Sequence, residues 1–81
     1  MSTLEQLNSI LRTVFDNPSL AVRPDTTADE VDGWDSLSHV NVVLAVEGAF
    51  QIRFSQKELL SFQKVGDMVE GIDRHLAQRR S

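Results

Sequence analysis

Apolar residues recur at helical spacing at both ends of this 81-residue chain, and that pattern points to a helical bundle. Leu4, Leu7, Leu11 and Val14 fall at i, i+3, i+7 and i+10, with Ile10 and Phe15 widening the stripe. This is the mark of an amphipathic helix. Val65, Met68, Val69, Ile72 and Leu76 repeat the pattern near the far end. Ser2 with Glu5 three residues on makes a capping box for the first helix. Asn17-Pro18 is expected to end it, because the residue before proline is biased away from the α region.

The second helix is predicted over 36–50, opened by Asp35, whose carboxylate can accept from the first-turn N–H groups. Its apolar positions are too many for one face. Val42 or Val43, Val46 and Phe50 form a stripe for the core, whereas Leu37, Val40 and Leu44, with Asn41 and Glu47 beside them, turn away from it. An exposed apolar stripe with a polar rim marks an interaction surface. Ile52 and Phe54 alternate with Gln51 and Arg53 in a short extended link. Ser55-Gln56-Lys57-Glu58 is a second capping box, opening a short helix through Leu59, Leu60 and Phe62. The last helix begins near Val65, with acids at its start and Arg74, His75, Arg79 and Arg80 toward its end, as the helix dipole favours. Gly71 inside it costs about 1 kcal/mol against alanine and is expected to admit a closely packed helix. Fraying is expected beyond about Gln78.

Residues 16–35 hold two prolines and a glycine without a sustained period, an unusually long connection of the kind often tied to function. Leu20, Val22 and Val31 are expected to tuck it onto the core, and Thr26 or Thr27 with Asp29-Glu30 to cap one short turn ending near Gly33. The fold class is therefore all-α: a small four-helix bundle in one domain over 1–81, three longer helices plus one short, with a long loop between helices 1 and 2.

Composition excludes several functions. Without cysteine there is no disulfide framework and no thiolate metal site, which fits a cytoplasmic protein. The N-terminal residues lack the basic and apolar regions of a signal peptide, and no apolar run approaches the ~20 residues that span a bilayer. A net charge of −4 argues against nucleic acid. Five of the twelve acidic residues (Asp25, Asp29, Glu30, Asp32, Asp35) crowd together before the second helix, a surface complementary to basic protein partners. Aligning Gly33 with the EF-hand glycine puts Ala28 and His39 at ligand positions, so that motif fails. His39 and His75 lack zinc spacing. Ser36 and His39 lie one helical turn apart, yet nothing supplies an oxyanion hole or a group to orient the imidazole. The chain thus shows no catalytic residues and no metal site, and reads as no enzyme.

Ser36 remains. An Asp-Ser pair alone is a helix cap, but a serine at a helix start faces unpaired N–H groups and the positive dipole end, where a phosphate diester is favoured. Such a hydroxyl is a substrate for another enzyme, and an attached group there stands beside Leu37, Val40 and Leu44. The rival reading is a non-modified helical interaction module that docks through those three residues, with Ser36 only a cap.

Gly33-Trp34-Asp35-Ser36-Leu37 resembles the attachment motif of the acyl carrier proteins. His39-Val40-Asn41, Ala45-Val46-Glu47 and Phe50 resemble their recognition helix, and Val65-Gly66-Asp67-Met68-Val69 the start of their final helix. The resemblance covers nearly the whole chain. It implies a free-standing monomeric carrier whose Ser36 receives 4′-phosphopantetheine from coenzyme A through a phosphopantetheinyl transferase that recognises Asp35. The arm's thiol would bear acyl groups as thioesters, which accounts for the missing cysteine. Leu37, Val40, Asn41, Leu44 and Glu47 would meet loading and processing enzymes of ligase, acyltransferase or ketosynthase type, in fatty-acid, polyketide or other specialised biosynthesis. Val42, Val46, Phe50, Phe54, Phe62, Met68 and Ile72 would line an acyl pocket, which Phe54 and Phe62 narrow. The recognition helix departs from the strongly acidic one of fatty-acid carriers, since Glu47 stands nearly alone after Asp35; this favours a dedicated pathway.

Overall fold

Three of the four α-helices open on a short polar side chain that caps the first turn. The computed structural model, which describes residues 2–80 and side chains as far as 78, contains α1 (Thr3–Val14), α2 (Ser36–Phe50), α3 (Gln56–Ser61) and α4 (Val65–Arg80). A 3-10 turn at Ala28–Glu30 interrupts the long loop between α1 and α2. The expected class and element order are observed. Ser2 Oγ accepts the Glu5 N–H at 3.1 Å, and Asp35 Oδ1 accepts the Ser38 N–H at 2.8 Å. At α3 the full capping box forms: Ser55 Oγ accepts from Glu58 N, and the Glu58 carboxylate accepts from Ser55 N at 2.9 Å. Helix α4 is described as far as Arg80, and the end of the tail expected to fray lies outside the described residues.

Proline does not end α1. The helix stops at Val14, and Asp16 takes a left-handed φ of 50°. Asn17 N–H donates to Arg12 O at 2.9 Å and Asp16 N–H to Thr13 O at 3.3 Å. These two bonds are a Schellman turn, and Pro18 lies beyond it.

Leu7 and Leu11 of α1, Val42, Val43, Val46 and Phe50 of α2, and Val65, Met68 and Ile72 of α4 make one buried cluster, joined by Phe54 from the α2–α3 link. Each such side chain contributes about 1.5–3 kcal/mol by leaving water. Val22 and Val31 bring the long loop onto this core, with Leu20 partly buried beside them.

Two anchors hold that loop. The buried Asn8 accepts the Val22 N–H through Oδ1 at 2.6 Å and donates from Nδ2 to Val22 O at 3.2 Å. Further along, Gly66 N–H donates to Pro24 O at 2.7 Å and Val65 N–H to Thr26 O at 2.8 Å, while Thr27 bridges to Lys64. Gly66 is required there because a Cβ would stand 2.8 Å from Pro24 O. The 3-10 turn is thereby set against the start of α4, and Glu30 returns to accept the Thr27 N–H at 3.2 Å.

Candidate functional site

The start of α2 is assembled from the loop upward. Gly33 adopts φ 86°, a conformation L side chains rarely hold, and so swings Trp34 against Phe15, with ring centroids 5.6 Å apart. Trp34 also stacks on His39 at 6.1 Å, and its Nε1–H donates to His39 Nδ1 at 3.2 Å. That bond needs an unprotonated Nδ1, so Nε2 is the ring's N–H donor. Among the described residues it has no partner.

Asp35 caps α2, and its carboxyl is held below the usual carboxylate range, first by the Ser38 backbone N–H and then by the Ser38 hydroxyl. Ser36 is the first residue of the helix and is exposed. It opens onto a groove of about 520 Å³ whose walls include Ala28, Asp29, Trp34, His39 and Phe62. Toward Val65 and Met68 the groove closes to a recess of about 30 Å³.

One turn downstream runs the exposed strip. Leu37 is 75% exposed, Val40 52% and Leu44 60%, with Asn41 exposed among them. On α3, Leu60 is exposed too. Glu47 is different: it is partly buried, and its Oε2 accepts the Phe54 N–H at 2.8 Å. Its carboxylate serves the α2–α3 link, and the strip itself has no acid.

The seven residues expected to line the interior come together, as core. Val42, Val46, Phe50, Phe54, Met68 and Ile72 are buried in one cluster and Phe62 packs against it, partly buried. Gly71 accommodates two rings and not the expected helix: a Cβ there would meet Phe62 Cζ at 3.2 Å and Phe54 Cε1 at 3.3 Å. Trp34 and His39 as a bonded pair, Asn8 as the loop anchor, and the groove walls Ala28 and Asp29 are not legible in the sequence. The available signal for Asn8 was a polar residue inside the apolar stripe of α1.

A second polar pair closes α3 onto α4. His75 Nε2 lies 2.9 and 3.1 Å from the two carboxylate oxygens of Glu58. The Glu58 carboxyl is held below its ordinary range, first by the Ser55 backbone N–H, with His75 adding to the effect. A carboxyl depressed in the folded state contributes stability above its unfolded pKa and loses it as pH falls through the folded one. Thermal melts are therefore expected to drop as pH is taken below about 4.3. Glu58→Gln should lose less over the same range, since glutamine keeps a neutral bond to Ser55 and has no charge to lose.

Among the described residues no group of three or more His, Asp or Glu side chains is placed to hold a metal ion, and no helix is long and apolar enough to cross a membrane. No family model matches the chain. Acyl carrier protein 3 of Ralstonia nicotianae is 28% identical over 78 residues, which span 96% of this chain and 90% of that protein. A solution NMR structure of a holo acyl carrier protein from Geobacter metallireducens is 39% identical with a TM-score of 0.91, spanning 98% of this chain and 91% of that one.

Proposed function

The chain belongs to the acyl carrier protein family, whose members are carriers and not enzymes, and from that premise we propose that Ser36 bears a 4′-phosphopantetheine arm. The observation that carries the reading is one exposed hydroxyl at the tip of α2, beside an open groove and one turn from an apolar strip. The residues fit the group: no side chain fills the groove next to Ser36, and Asp35, rather than Ser36, takes up the cap position. When bound, the arm supplies the thiol that this cysteine-free chain lacks, and acyl groups ride there as thioesters.

Each neighbouring residue has a task that follows from its place. Asp35 fixes where α2 begins and so where the Ser36 hydroxyl stands, presenting both to a phosphopantetheinyl transferase with coenzyme A as donor. Leu37, Val40 and Leu44, rimmed by Asn41, dock the acyl-loading and acyl-processing enzymes, of ligase, acyltransferase or ketosynthase type. Along α2 beyond Asp35 the one acid, Glu47, is engaged with Phe54. Docking along this helix is therefore mainly apolar, and the acidic attraction comes from Asp29, Glu30, Asp32 and Asp35. That distribution favours a dedicated pathway, polyketide or another specialised product, over housekeeping fatty-acid synthesis.

The test is intact mass. Incubated with coenzyme A and a phosphopantetheinyl transferase, the protein is expected to gain one phosphopantetheine per chain; an unchanged mass rejects the reading. Partner affinity that depends on the arm separates the carrier from an unmodified docking module.

A further inference from the structure

From Ser36 an attached acyl group has two directions open to it, and packing separates them. Inward, the groove closes at Met68 to about 30 Å³, room for one or two waters. Phe62 lines that recess, and its ring meets Phe54 edge to face at 5.1 Å over Gly71. The pair is anchored through Phe54. Glu47 fixes the Phe54 backbone, His75 packs edge-on against the Phe54 ring at 5.5 Å, and Glu58 holds His75. Beyond it Val42, Val46 and Ile72 are fully buried, and parting them costs more as the space grows.

Outward, the groove of about 520 Å³ is lined by Trp34 and Phe62, with Asp29 and Asp35 at its polar edge. His39 lines it with a free Nε2–H donor. The Asp35 carboxylate already takes the Ser38 amide in the first turn of α2, so a phosphate on Ser36 is repelled from that side.

We propose that the acyl group carried at Ser36 lies in this external groove, against Trp34 and Phe62. His39 Nε2–H donates to oxygens of the arm, and the Phe54–Phe62 pair keeps the load out of the bundle. The substrate class this fits is a short or polar acyl group, because a long alkyl chain held outside leaves methylenes in water. The inference rests on Ser36 as the attachment site.

The experiment uses the full chain, isotope-labelled, modified by a phosphopantetheinyl transferase with coenzyme A, butanoyl-coenzyme A or octanoyl-coenzyme A. Mass is measured first, then NMR spectra. Trp34 is the sole tryptophan, so its indole N–H is a single resonance in the groove wall. On adding either acyl group to the holo protein, that resonance and the His39 ring signals are expected to shift more than any methyl of Val42, Val46 or Ile72. Larger shifts at those methyls than at the indole, with the mass gain present, overturn this inference alone. A missing mass gain overturns the Ser36 reading and this inference together.

Discussion

Truncating Ile72 to alanine is expected to remove about 2–5 kcal/mol of stability, the range for emptying a fully buried branched site. Ile72 sits in the cluster with Val42, Val46 and Met68 and has no exposed surface. At about 0.05–0.15 kcal/mol per residue, a chain of this length holds only about 4–12 kcal/mol in total. A loss of that size leaves many molecules unfolded at physiological temperature. Each kcal/mol moves the melting temperature of so small a domain by about 4–8 °C, so Ile72→Ala should melt about 8–40 °C below the parent. Leu37→Ala, at a site 75% exposed, is the control and should melt close to the parent. Equal melting of Ile72→Ala and Leu37→Ala would show that the core is wrongly located.

The second large effect falls on a residue with no part in the docking strip. Asn8→Leu takes both partners from Val22, whose N–H and C=O are held by the Asn8 amide inside the protein. Each backbone group orphaned out of water costs about 1–3 kcal/mol. The expected result is a lower urea midpoint together with lost hydrogen-exchange protection at the Val22 amide. Protection at Val46, inside α2, should fall only as far as global stability does. The consequence for the site is indirect. Asn8 and the Pro24–Gly66 contact fix the ends of the segment that leads to the 3-10 turn and Trp34, and so help shape the groove beside Ser36. Unchanged Val22 protection in Asn8→Leu would show that the anchor does not hold the loop.

The limits of α2 are legible because Asp35 is a strong cap and the apolar periodicity after it runs to Phe50. Its two stripes were readable for the same reason: 3.6-residue periodicity separates Val42, Val46 and Phe50 from Leu37, Val40 and Leu44 in any helix. The end of α1 was not. Pro18 is the louder signal, but the helix ends through Asp16 in a left-handed conformation, which a sequence announces clearly only when the residue is glycine. Gly71 points to a helix contact in the sequence because a missing side chain says that something approaches and not what; the rings of Phe54 and Phe62 arrive from 17 and 9 positions away. Glu47 shows the opposite failure. Helical spacing put it beside the strip, and the unpaired N–H of Phe54 drew its carboxylate away. The Trp34–His39 bond crosses the cap at Asp35, where neither helical nor extended periodicity applies, so no spacing rule reaches it.

Ser36 and Ser38 stand two residues apart at the same helix tip, and they separate the carrier reading from a cap. Ser38 is partly buried, with its backbone N–H bonded to Asp35, whereas Ser36 is exposed on the groove. Intact mass after treatment with coenzyme A and a phosphopantetheinyl transferase, for the parent, Ser36→Ala and Ser38→Ala, is the most direct measurement. One phosphopantetheine should appear on the parent and on Ser38→Ala, and none on Ser36→Ala. A parent that gains nothing, or a Ser36→Ala protein that still takes up the group, would refute the assignment of the arm to Ser36.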